Sequence, residues 1–122
     1  MPRFYQTKTW RAQIPDAWQV EDRCGEELVT LFRPDGVGML RVLTAEEHYS
    51  DAAVAGEDFR GTLSGKTWAS TFGTSYNRTW ALSCGGRKLY VRYSCAPHNV
   101  EKELPEVYEI VQSISENGAG VA

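Results

Sequence analysis

The stretch TWASTFGTSYNRTWALSCGGRKLYVRYSCA, residues 67–96, constrains the fold more than any other part of the chain. Its apolar and polar residues alternate with period two, the periodicity of strands that bury one face. Gly73–Thr74 and Gly85–Gly86 interrupt the alternation. Gly-Gly suits a two-residue hairpin turn, because both central residues take positive φ without a Cβ penalty. Such a turn sets Cys84 opposite Arg87, Leu82 opposite Leu89, Trp80 opposite Val91 and Cys95 opposite Tyr76. This register gathers the apolar side chains on one face. It also separates Cys84 from Cys95 along the ladder, so these two thiols are not expected to be bridged.

The rest of the chain reads in the same way. In KTWRAQIP, Trp10, Ala12 and Ile14 share a strand face, and Pro15–Asp16 end the strand before Trp18. Leu28–Phe32 and Val37–Leu43 flank Pro34-Asp35-Gly36, a turn in which Pro presets φ and Gly relaxes it. Thr44 stands three residues before Glu47, the capping-box spacing, which predicts a short helix from Ala45 to Val54. Val100, Leu104, Val107, Val111 and Ile114 recur at helical spacing. Pro105 is placed in the first turn of that helix, and Asn117–Gly118 are read as its stop. The expected fold is α+β: one antiparallel sheet of about six strands, a long C-terminal helix on one face, and a short helix after the first hairpin. One domain over residues 1–117 and a frayed tail over 118–122 account for the whole length.

Composition narrows the function classes. Of 122 residues, 42% are hydrophobic and 24% charged, enough for a core and too apolar for disorder. A net charge of −3 leaves no basic footprint for nucleic acid. No apolar run is long enough to span a bilayer, and the first residues lack a signal-peptide apolar stretch, so a cytoplasmic location without membrane partners is expected. Three cysteines, Cys24, Cys84 and Cys95, form no CxxC pair and are read as reduced thiols.

The strand WRAQIPDAW (10–18), ending in Ile-Pro before a turn closed by Trp, resembles the opening of PsbP-like domains. That fold is shared by an extrinsic photosystem subunit and the Ran-release factor Mog. The close, LYVRYSCAP (89–97) running into a helix that ends EIVQSIS (109–115), is similar too. The resemblance implies a sandwich around an antiparallel sheet. It implies little about function, since the fold hosts unrelated roles, binding proteins and secretion chaperones among them.

Four chemical readings can be weighed on the residues. GTLSGKT (61–67) lacks one residue of the P-loop spacing, and the strand-like TWASTF that follows replaces the helix whose N-terminus would hold phosphate. A glycine turn leading to Trp68 is the better reading. Cys95 and His98 have C-x-x-H spacing, with Cys84, Cys24 and His48 as further ligands, but one such motif falls short of a zinc site. The same pair is a weak candidate for an activated thiol. Glu46, Glu47, Asp51, Glu57 and Asp58 form a loose acidic stretch, read as a solvated face or as a docking surface for a basic partner. No catalytic residue, metal or cofactor is therefore expected.

One constellation remains. Two-residue hairpin turns put Trp68, Phe72, Ala81, Tyr90 and Arg92 on the second sheet face, with Asn77 and Thr79. Trp, Tyr and Arg are favoured at binding hot spots. The expectation is a non-catalytic protein-binding module of immunity-protein or secretion-chaperone type. Its alternatives are a small-ligand domain or enzyme with a site between sheet and helix, and a homodimer through the same sheet face.

Overall fold

The structure, a computed structural model, describes residues 3–7, 9–22, 28–45, 57–84 and 87–116. Its elements are β1 (Arg3–Gln6), β2 (Trp10–Ile14), β3 (Gln19–Asp22), β4 (Leu28–Phe32), β5 (Gly38–Ala45), β6 (Glu57–Arg60), β7 (Ser64–Phe72), β8 (Ser75–Cys84), β9 (Arg87–Cys95), α1 (Val100–Ser113) and β10 (Ser115–Glu116). A single 3-10 turn, Pro97–Asn99, leads into α1. The fold is α+β, and it differs from the expectation in strand number and in sheet number. Among the described residues, ten antiparallel strands form a three-stranded sheet, β1-β2-β10, and a seven-stranded sheet, β3-β4-β5-β9-β8-β7-β6. The helix expected over 45–54 lies outside the described residues, apart from Ala45, which ends β5 opposite Lys88.

The two hairpins at the centre follow from local sequence. Phe72 opposes Ser75 across Gly73, whose φ of 58° is the left-handed conformation that glycine accepts without strain. Cys84 opposes Arg87, Leu82 opposes Leu89, Trp80 opposes Val91 and Tyr76 opposes Cys95, the register that the period-two pattern dictates. The turn from β4 to β5 closes with Gly36 N–H on the Arg33 carbonyl at 2.9 Å, around Pro34 and Asp35. What local pattern could not supply is that β5 pairs with β9 over eight residues, joining the β4–β5 hairpin to the β7-β8-β9 strands in one sheet.

That pairing gives the large sheet two unlike faces. The inner face carries Val29, Leu31, Leu40, Val42, Trp80, Leu82, Leu89, Val91 and Tyr93, all at most 1% exposed. Helix α1 buries Val107, Ile110 and Val111 against it, and β2 buries Trp10, Ala12 and Ile14 beside them in the same cluster. Burying a side chain of this kind contributes roughly 1.5–3 kcal/mol. The Trp80 and Tyr108 rings pack in a T-shape, with centroids 5.8 Å apart and planes at 89°.

A polar network anchors the start of α1. Glu103, 2% exposed, accepts hydrogen bonds from Tyr93 Oη at 2.8 Å and from the Val37 amide at 3.1 Å. One turn later Glu106 accepts from Trp18 Nε1 at 2.6 Å and from Arg33 Nη1 at 2.8 Å. Gly36 lies so close to Glu103 that an added Cβ would sit 2.0 Å from Oε2. Pro105 falls in the second turn, not the first, because α1 begins at Val100. The carbonyl deprived of its donor belongs to Glu101, an exposed residue. The helix also stops earlier than Asn117–Gly118. Ile114 turns to extended backbone (ψ 126°), and Ser115–Glu116 pair with Arg11 and Trp10 of β2. Ser113 Oγ marks the exit: it donates to the Ile110 carbonyl at 2.7 Å and accepts from the Gln13 amide at 2.9 Å.

Candidate functional site

Outer-face side chains of the large sheet fall into transverse rows, because strand register aligns them. One row runs Leu28, Leu43, Tyr90, Ala81, Lys66, Asp58 from β4 to β6. The next runs Thr30, Arg41, Arg92, Thr79, Trp68. A cleft of about 410 Å³ lies along these two rows, lined by Leu28, Leu43 and Tyr90 on one border and by Arg41, Arg92, Thr79 and Trp68 on the other. Trp68 and Tyr90 are half-buried, and Arg41 and Arg92 are exposed.

Arg41 and Arg92 are direct cross-strand partners. Arg92 Nε donates to Thr79 Oγ1 at 3.3 Å, and Arg41 Nη2 donates to the Met39 sulfur at 3.3 Å. Among the described residues neither guanidinium has a carboxylate within ion-pair distance; the ion pairs of this sheet lie elsewhere. Lys66, at the far end of the first row, is held by Asp58 at 2.5 Å. That contact keeps the Asp58 carboxyl below its usual range, through the hydrogen bond first and the charge second.

Of the residues singled out from sequence, Trp68, Tyr90 and Arg92 come together at this cleft. Phe72 ends β7 opposite Ser75, and its side chain lies outside the described ones. Of the acidic stretch, the described residues are Glu57 and Asp58. Glu57 and Asp58 are consecutive on β6 and point to opposite faces. Glu57 meets Arg78 at 3.7 Å, and Asp58 meets Lys66. Glu46, Glu47 and Asp51 lie outside the described residues, as do Cys24 and His48. Leu28, Arg41 and Leu43 are the lining residues that sequence reading missed. Their signal lies only in the β5–β9 pairing, which brings Arg41 to Arg92.

The other motifs resolve differently. GTLSGKT forms the β6–β7 turn and the start of β7, and it packs at the end of α1. The Gln112 carbonyl accepts from Thr62 N–H at 3.2 Å and from Thr62 Oγ1 at 3.0 Å. The loop thus serves the partially negative C-terminal end of a helix, the opposite of a phosphate cradle. Gly65 is there for close approach: a Cβ would stand 1.9 Å from the Ala81 carbonyl oxygen. Cys84 and Cys95 are both buried, and the Cys84 thiol donates to the Thr9 carbonyl at 3.4 Å. Burial pushes the Cys95 thiol up, against the character of a nucleophile, while His98 is exposed on the 3-10 turn. Among the described residues no three His, Cys, Asp or Glu side chains converge on a metal site, and no helix is long and apolar enough to cross a membrane.

These features define an α+β domain with a core on one face of its large sheet and an aromatic–arginine cleft on the other. No protein-family model matches the chain, and no curated protein matches it. Solved structures do resemble it. A protein of Bacteroides thetaiotaomicron VPI-5482, crystallised and solved at 1.50 Å, superposes with a TM-score of 0.65 at 16% identity, over 95% of this chain and 50% of that one. The chain spans half the length of that protein, and a likeness at this identity shows the fold alone.

Proposed function

We propose that this chain is a non-catalytic protein-binding module, a small bacterial cytoplasmic protein of immunity-protein or secretion-chaperone type, on a PsbP-like or Mog-like fold. The carrying observation is the outer cleft. Half-buried Trp68 and Tyr90 flank two exposed arginines on the sheet face opposite the core. Aromatic rings offer large contact area at small entropic cost, and arginines add directional donors. Trp80, Val107, Ile110 and Val111 pack together between sheet and helix, which favours the outer face for the site.

The test compares the wild type with Trp68→Ala/Tyr90→Ala as bait in the native host, after both are shown to unfold at similar temperatures. The expected result is a protein retained by the wild type and lost by the variant. Equal retention by both baits would refute the assignment of this face. A second reading, a small-molecule site, draws on the cleft volume of about 410 Å³, which is within the range of ligand pockets.

A further inference from the structure

We propose that the cleft captures an acidic segment of a protein partner, with carboxylates seated on the Arg41–Arg92 pair and apolar side chains along Leu28, Leu43 and Tyr90. This rests on the reading of the outer face as a docking surface and names the chemistry that the surface takes. Like charges placed directly opposite on neighbouring strands repel and destabilise a sheet. Arg41 and Arg92 occupy such a pair, and no described carboxylate relieves it. The sulfur of Met39 is a weak acceptor, so the Arg41 fork keeps most of its donors for a guest. A guanidinium fork matches a carboxylate in bidentate fashion, and here two forks stand side by side.

The dimensions favour a polypeptide over a small anion. Lining residues reach from β4 through β5, β9 and β8 to β7, four strand spacings or about 19 Å. An extended segment covers that distance in about six residues. The apolar row and the cationic row lie two residues apart along the strands, about 7 Å. A segment with apolar groups on one border and carboxylates on the other fits both rows together.

A display library of random ten-residue peptides, selected on the full chain, tests this. Enriched peptides are expected to combine Asp or Glu with apolar residues, and to lose at least tenfold in affinity on Arg41→Gln/Arg92→Gln. Arg41→Gln alone should leave the fold intact and raise Tm by about 1–3 °C, since it relieves repulsion. Enrichment of neutral or basic peptides that depend on Trp68 and Tyr90 would overturn the acidic assignment and leave the docking face standing. No enrichment over Trp68→Ala/Tyr90→Ala would overturn both. Displacement of bound peptide by citrate or inorganic phosphate at equal affinity would assign the cleft to a small anion instead.

Discussion

Glu103→Ala should be among the most damaging single changes to α1, although it alters one charged residue in a helix. It leaves two donors, the Tyr93 hydroxyl and the Val37 amide, without their acceptor. An unpartnered buried donor costs about 1–3 kcal/mol. Tyr93 is fully buried and takes the upper part of that range, whereas Val37 is half-buried and takes the lower. Alanine returns about 0.4 kcal/mol of helix propensity. The net loss is about 3 kcal/mol, a fall in Tm of roughly 10 °C for a chain of this size. Tyr93→Phe alone should cost about 2 kcal/mol, through the bond lost to Glu103. The double variant should cost little more than Glu103→Ala, because the orphaned hydroxyl is gone. Urea unfolding at pH 7, followed by tryptophan fluorescence, reads all four states; Trp10, Trp18 and Trp80 are fully buried and report the transition. The coupling between the two sites should be about 1.5–2 kcal/mol. Additivity within about 0.5 kcal/mol would refute the network as the anchor of α1.

Three further outcomes can be measured. Burial, and then Glu103, hold the Tyr93 hydroxyl well above the usual phenol range. Below about pH 10 both folded and unfolded states keep the proton; above it only the unfolded state releases it, so stability falls as pH rises. Unfolding free energies between pH 8 and 11 should show this fall, and it should be shallower in Tyr93→Phe. Gly65→Ala should destabilise by about 2 kcal/mol or more, from the clash with the Ala81 carbonyl, while Gly73→Ala, with nothing within 4 Å, should cost about 1 kcal/mol from its φ of 58° alone; thermal melts that reverse this order would contradict the close-approach argument. Peptides containing Cys84 and Cys95 should stay unlabelled by a thiol reagent in the native protein and label fully in urea, as mass spectrometry can follow.

The six strands legible in the sequence are β2, β4, β5, β7, β8 and β9. All six show a period-two pattern in sequence; β2, β4, β5 and β9 bury alternate residues, whereas β8 buries Thr79–Leu82 in succession and β7 buries Thr67 among its described side chains. The four that were missed, β1, β3, β6 and β10, are the edges of the two sheets. Edge strands in folded proteins are kept short, charged and polar, which blocks pairing with other chains and erases the alternation that sequence reading needs. EDFR of β6 shows it: Phe59 alone is buried among exposed charged residues. Glu103 was illegible for another reason. A glutamate among helical apolar positions reads as solvent-facing, and only the arrival of Tyr93 and Val37 from distant strands makes it a buried acceptor. The cleft was half legible. Trp68, Tyr90 and Arg92 follow from hairpin register, but Arg41 needs the β5–β9 pairing, which no local pattern encodes.

The small sheet has a consequence for how the chain reaches its native state. In it, Trp10 and Arg11 pair with Glu116 and Ser115, and the Gln13 amide bonds Ser113, so contacts close a loop of about 100 residues. The central hairpins close within a few residues and carry no such delay. During synthesis, Trp10, Ala12 and Ile14 leave the ribosome well before α1 and wait for its last turns before their cover is complete. The earliest apolar strand of the core is thus among the last to be sealed, and the step that seals it fastens the beginning of the fold to its end.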